Sequence, residues 1–115
     1  MSTSFAEMLG ALARHRGVLA SMVVGERDGM IVDSNLQIGQ NGDRVAALTA
    51  SLYRKARFSA AKAGLGTVAF LQLEAEDGRV YAAGRNDLVL IVVTAHAANV
   101  GLVRLEMLRA VGGLS

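Results

Sequence analysis

The two histidines are the residues best suited to catalysis or metal binding, and neither has the neighbours that such chemistry requires. His15 lies between two arginines at a predicted helix end, where a cation is favourable, and no acid or nucleophile stands beside His96. The chain also has no cysteine. A general base needs a partner within hydrogen-bonding reach. The sequence therefore predicts no enzyme activity, no metal site and no bound cofactor.

The acidic residues that might pair with one another stand at glycine-containing turns. Asp28 and Asp33 flank one predicted hairpin, and Glu74–Asp77 leads into another. Asp beside Gly is favoured in turns for backbone reasons alone, so we interpret these residues as turn formers rather than as an acid/base pair. Gly64 and Gly66 follow a helix and precede a strand, the reverse of a phosphate-binding loop.

The longest predicted helix carries a cluster of basic residues, for which a solvated face is the simplest interpretation. The sharper hypothesis is that a protein with an acidic surface docks there, with the charges setting association rate and register. Phe58 would then be the apolar anchor. The predicted partner contacts are Arg44, Lys55, Arg57 and Lys62.

Hydrophobic periodicity and turn chemistry predict the elements that position these residues. The order is αββαβββα, and links of hairpin length require antiparallel pairing, so we expect an α+β fold with a five-stranded antiparallel sheet flanked by helices. The first helix opens with a capping box, Ser4–Glu7, and ends near Arg14–Gly17. The other predicted elements are strands 18–24 and 30–34, a helix over 43–63, strands 67–74, 79–83 and 88–94, and a helix over 99–111.

The long helix has two stripes of apolar or small residues on opposite sides. One is predicted to cover the sheet and contains Val45, Leu48, Leu52, Ala56 and Ala63. The other is predicted to meet a second partner; it contains Ala47, Ala50, Phe58 and Ala61, which share that side with Ser51 and Arg54. The alternative is that alanine is simply a good helix former and Phe58 a scattered surface residue.

Composition limits the class of protein. The 115 residues predict one domain, 1–115, with 52% hydrophobic and 19% charged residues, which leaves apolar surface for a partner. No apolar run is long enough to span a bilayer, and no secretory signal is evident. A net charge of +2, spread along the chain, does not favour nucleic-acid binding. The absence of cysteine suits the cytoplasm.

Several segments, taken in order, resemble the roadblock/dynein light-chain family. They are Gly17-Val18 before an apolar strand, Asp28-Gly29 followed by Met30-Ile31-Val32, the Ala-rich helix, and the closing segment 98–104, Ala-Asn-Val-Gly-Leu-Val-Arg. The resemblance covers almost the whole chain. It implies a homodimer formed through the long helix and the strand after it, which adds Val68, Phe70 and Leu71 to the predicted interface.

The same resemblance implies a function. Family members typically scaffold or regulate Ras-like small GTPases, so we expect a regulator or scaffold of such a GTPase, with a possible GTPase-activating role. Activation would come from ordering of the GTPase's own switch residues or from a supplied arginine, with Arg54 and Arg57 as candidates by position alone. The alternatives are a dimer that only tethers other proteins and a small-molecule sensor.

Overall fold

The computed structural model describes residues 5–37 and 39–114, which form an α+β fold in the predicted order αββαβββα. The fold class predicted from the sequence is confirmed. The helices are α1 (Ala6–Ala13), α2 (Gly42–Lys62) and α3 (Val100–Val111). The strands are β1 (Val18–Gly25), β2 (Ile31–Leu36), β3 (Leu71–Ala75), β4 (Gly78–Arg85) and β5 (Leu88–Thr94).

The five strands form one antiparallel sheet in the order β2-β1-β5-β4-β3. The central strand β5 is the β-branched, apolar segment whose residues Val89–Val92 are fully buried. Such a strand needs cover on both faces, which the helices provide. The edge strands are β2 and β3, so the strand that follows α2 has one unpaired side within the described residues.

The helices cover the two faces of the sheet and close two hydrophobic cores. On one face, α2 packs over Met22, Val24 and Ile91. On the other face, Leu9 of α1 and Met107 of α3 pack with alternate residues of the same strands. Side chains along a strand point to opposite faces, so one sheet supplies both cores.

Side-chain caps fix where the two longer helices begin. The Asn41 side chain accepts a hydrogen bond from the Arg44 N–H at 3.2 Å, and the Asn99 side chain accepts one from the Leu102 N–H at 3.0 Å. Each bond satisfies a donor that the first turn leaves unpaired. The predicted Asn99 cap is confirmed, whereas Ser4 of the predicted capping box lies outside the described residues. None of the described helices has both the length and the apolar character of a membrane span.

Strand β3 begins four residues later than the sequence predicts, because a side chain replaces the backbone ladder there. The Tyr53 hydroxyl donates to the Val68 carbonyl at 3.2 Å and accepts from the Gly84 N–H at 2.9 Å. It therefore stands between residues that would otherwise pair in β3 and β4. A Cβ on Gly84 would lie 2.7 Å from the Tyr53 ring, so only glycine leaves room for this contact.

The face of α2 that meets the sheet differs from the predicted one. Beyond Gly42 in the first turn, the buried residues are Ala46, Thr49, Ala50 and Tyr53, whereas Leu48, predicted to be in the core, is 55% exposed. The prediction was wrong because it assigned the larger side chains to the core. Two alanines instead allow α2 to approach the sheet closely, and Tyr53 fills the remaining gap. Ala50, predicted at a dimer interface, is fully buried inside the monomer.

Candidate protein-docking site

The outward side of α2 presents a mixed apolar and basic surface that we call the outer ridge. Its residues alternate four and three positions apart, which places them along one side of the helix. Phe58 is 65% exposed, and the ammonium group of Lys62 lies 5.1 Å from the centre of its ring. The outer ridge consists of Arg44, Leu48, Ser51, Lys55, Phe58 and Lys62.

This spacing is the pattern by which one helix packs along another, although half of the outer ridge residues are cationic. An exposed aromatic ring flanked by cations is typical of a docking surface in which the ring supplies contact area and the charges supply orientation. The structure therefore brings together four residues predicted from the sequence: Arg44, Lys55, Phe58 and Lys62. Leu48, which was predicted to lie in the core, is exposed on the same side of the helix.

Arg54 and Arg57 do not belong to the outer ridge, because both reach toward the β1–β2 turn. One Arg54 amino group donates to the carbonyls of Glu26, at 2.5 Å, and Arg27, at 3.0 Å. Arg57 forms an ion pair with the Glu26 carboxylate, whose side chain is only 10% exposed. Each arginine thus holds α2 against the turn, and a charge-assisted bond to a nearly buried group is stronger than a surface pair.

Small residues let the same turn approach α2 on that flank. Gly29 adopts φ +69°, and a Cβ on it would lie 3.0 Å from the Cα of Ala47. Ala47 therefore faces the β1–β2 turn on one side while part of its surface remains exposed. Ala61, farther along α2, is also exposed and borders a depression together with Phe58 and Asp87. Both alanines flank the outer ridge.

The remaining predicted interface residues lie just before β3 and at its start, and they face opposite sides of the sheet. Val68 and Leu71 are half-buried and pack against the core beneath α2. Phe70 packs on the opposite face, with its ring centre 5.9 Å from that of Tyr81 and 5.3 Å from the Arg104 guanidinium. Only Val68 and Leu71 therefore lie on the same side of the sheet as the outer ridge.

Two further large apolar residues, outside the predicted set, are exposed in the α2–β3 connection and in β3. Leu65 is 78% exposed in the α2–β3 connection, and Leu73 is 39% exposed in β3 itself. Neither residue has a periodic signal that separates it from an ordinary loop or strand residue. Exposure of several large apolar side chains in one region is the feature that marks a binding surface.

The histidines and the turn aspartate, whose side chains could take part in catalysis or metal binding, are engaged in structural contacts. The His15 ring lies 3.9 Å from the Glu106 carboxylate, and a ring nitrogen of His96 lies 2.8 Å from the Glu76 carbonyl oxygen. The Asp28 carboxylate accepts from the Met30 N–H at 2.9 Å, as a turn residue does. Within residues 5–37 and 39–114, no group of three or more histidine or acidic side chains is placed to hold a metal ion.

The polar residues that a small-molecule site in the central strands would use are also engaged. The Ser21 hydroxyl donates to the Leu9 carbonyl at 3.0 Å, which ties β1 to α1. Thr94 is buried at the end of β5, with its hydroxyl 3.5 Å from that of Tyr81. A ligand site needs a few polar groups that converge on an open space. The geometry at Ser21 and Thr94 favours packing over ligand binding.

Comparison with known proteins agrees with this architecture. The model of the Roadblock/LC7 domain family matches residues 5–95. An uncharacterised protein of Methanocaldococcus jannaschii is 32% identical over 99 residues, which is 86% of this chain and 86% of that protein.

Solved structures share the fold at lower identity. A Roadblock/LC7 domain from Streptomyces avermitilis superposes with a TM-score of 0.86 at 17% identity, covering 97% of this chain and 95% of that one. MglB from Myxococcus xanthus superposes with a TM-score of 0.81 at 20% identity, covering 97% and 94%. An MglB structure described as having a tetrameric arrangement gives 0.82 at 20% identity, covering 95% and 83%.

Proposed function

Because this chain belongs to the Roadblock/LC7 family, we propose that it is a non-enzymatic homodimer that regulates or scaffolds a Ras-like small GTPase. The observation that carries the proposal is the outer ridge, where the exposed Phe58 lies between Lys55 and Lys62 on a side of α2 that also carries Arg44. This surface suits protein partners, one of them with an acidic face.

The dimer is proposed to form through α2 and β3. An unpaired strand edge exposes backbone donors and acceptors, and pairing it with the same edge of a second copy satisfies both copies at once. Leu71 lies at the start of β3, and Leu48 and Phe58 project from the helix that crosses the same face. The tetrameric arrangement described for one MglB supports self-association in proteins of this fold.

For an effect on GTP hydrolysis, we favour ordering of the GTPase's switch residues over an arginine supplied by this chain. Arg54 and Arg57 were the candidate arginines, and both are engaged with the β1–β2 turn. Insertion into a partner's active site would require breaking those contacts and leaving the Glu26 carboxylate without its counter-charge. Such a cost opposes an arginine-finger role.

The test is to mix the protein with the Ras-like GTPase encoded nearest to it, loaded with GTP or GDP, and to record complex formation and phosphate release. We expect a complex whose affinity falls by about tenfold or more when Lys55→Glu and Lys62→Glu are combined. The control is Arg16→Glu, an exposed charge reversal near the end of α1.

The outcomes separate three functions. Faster phosphate release by the wild-type protein identifies an activating protein, and a complex with unchanged release identifies a scaffold. No complex with either nucleotide state would overturn the GTPase proposal and leave a dimer that tethers other proteins. Equal weakening by the Arg16 control would contradict the outer ridge as the contact surface.

A further inference from the structure

A groove runs between α1 and α3, on the face of the sheet opposite α2. It has a volume of about 250 Å³, and four apolar residues and three charged or titratable residues line it. The apolar residues are Met8, Ala11, Leu12 and Ala110, and the others are His15, Glu106 and Arg109. A smaller depression that shares His15 continues the groove toward Leu102 and Arg16.

The outward side of α3 is unusually apolar: Leu102 borders the groove, Leu105 lies beside Leu102 and Arg109 on the outward side, and Leu108 lies farther round the helix. Leu102 is 42% exposed, Leu105 is 47% exposed and Leu108 is 36% exposed, all in a helix of 12 residues. A helix that covers a sheet normally presents polar residues to solvent, with its apolar stripe facing the core. Here Val103 and Met107 fill that core role, so the three leucines contribute nothing to the monomer's core.

The charges around the groove favour an acidic partner. Arg16 lies at one end of it and Arg109 along its wall, and both are exposed. The acidic residue in the groove wall is Glu106. Its carboxylate oxygen lies 3.9 Å from a ring nitrogen of His15, so the carboxylate faces that ring. Exposed Arg14 lies near the same end, but exposed Glu7 lies two turns earlier on the same side of α1, so the positive excess rests on Arg16 and Arg109.

We propose that the α1–α3 groove binds an amphipathic helix of a partner protein, with leucine-like residues on one side and carboxylates at its margins. From Leu102 to Ala110 the groove follows about 12 Å of α3, or about two helical turns, which accommodates apolar anchors at i, i+3 or i+4, and i+7. The groove lies on the other face of the sheet from the outer ridge. One chain therefore binds two partners simultaneously, and this inference stands apart from the GTPase proposal.

The test is a fluorescence-anisotropy titration of the full chain into a labelled synthetic helix. The peptide has about 18 residues, with leucines at helical spacing along one side and glutamates at the margins, and a scrambled peptide has the same composition. We expect saturable binding of the patterned peptide that weakens by about tenfold with Leu105→Glu and by several-fold with Arg109→Glu. Met30→Glu is the control, because it places the same charge at an exposed apolar residue outside both proposed surfaces and should leave binding unchanged.

Circular dichroism of each of the three variants establishes that it is folded, and all three substituted side chains are exposed. Absence of saturable binding, or equal binding of the scrambled peptide, would overturn the proposal. Equal loss with Met30→Glu would also overturn it, because binding would not depend on this face. A parallel titration with phosphatidylserine vesicles tests the other occupant: vesicle binding that is lost with Leu105→Glu, without peptide binding, would replace the proposed helix with a membrane surface.

Discussion

Tyr53 joins α2 to the junction of β3 and β4 through one hydroxyl group, with bonds to Val68 and Gly84. We expect Tyr53→Phe to lower the free energy of unfolding by about 1–3 kcal/mol, because both backbone groups lose this partner. Tyr81→Phe is the control: that hydroxyl has a contact of only 3.5 Å to Thr94, so its loss should cost under about 1 kcal/mol. Urea denaturation measures both, and equal costs would contradict the bridging role.

The same hydroxyl predicts a dependence of stability on alkaline pH. Burial raises the pKa of Tyr53 above its ordinary value of 10.0, while the hydrogen bond with Gly84 acts in the opposite direction. The unfolded chain therefore loses this proton at lower pH than the folded chain does. Its contribution to stability is complete below about pH 10 and is lost as the pH rises through the folded-state pKa.

Unfolding free energies of the wild type and of Tyr53→Phe, measured between about pH 9 and 11, test this dependence. We expect the wild type to lose stability more steeply over that interval. Tyr81 is present in both proteins, so the difference between the two slopes reports Tyr53. Parallel slopes would show that the folded and unfolded pKa values of Tyr53 are equal.

At the scale of the element, the ion pair between Arg57 and Glu26 fixes the position of α2 against the β1–β2 turn. We expect Arg57→Ala to cost about 1–3 kcal/mol, because it leaves a nearly buried carboxylate without its counter-charge. Adding Glu26→Gln should recover part of that loss, since a neutral amide needs no counter-charge. Lys55→Ala on the outer ridge serves as the control, and an equal loss there, measured by urea denaturation, would contradict this account.

The same helix shows what the sequence can and cannot predict. Helical periodicity and turn residues predicted every element in order, because those signals are local. They did not predict the rotation of α2, because Leu48 on the outer ridge and Ala50 in the core both suit a helix. Which of them is buried depends on how closely the helix approaches the sheet. The contacts of Arg54 and Arg57 also escaped prediction, since they join residues far apart in the chain.

For the whole molecule, the two proposed binding surfaces lie on opposite faces of the sheet. The outer ridge and the α1–α3 groove lie on opposite sides of five strands, so a substitution in one has no direct contact with the other. Energetic effects at distant sites without shared partners are usually additive. The proposals for the two surfaces can therefore be tested on one set of variants.

The proposed homodimer predicts the molecular mass of the protein in solution. Sedimentation equilibrium should give twice the chain mass of 12.0 kDa for the wild type. Combining Phe58→Asp with Leu71→Arg should give the monomer mass, because one change places a charge on the outer ridge and the other places one beside the unpaired side of β3. Met30→Asp is the control: Met30 is 66% exposed just before the opposite edge strand, β2, so its substitution should leave the dimer intact.

The circular dichroism of the double variant must match that of the wild type, so that loss of association is separated from loss of folding. A double variant that stays dimeric would remove α2 and β3 from the interface. A wild-type mass equal to that of one chain would refute the homodimer itself. If Met30→Asp alone dissociates the dimer, the interface lies at β2, and the outer ridge is then open to a partner on every copy.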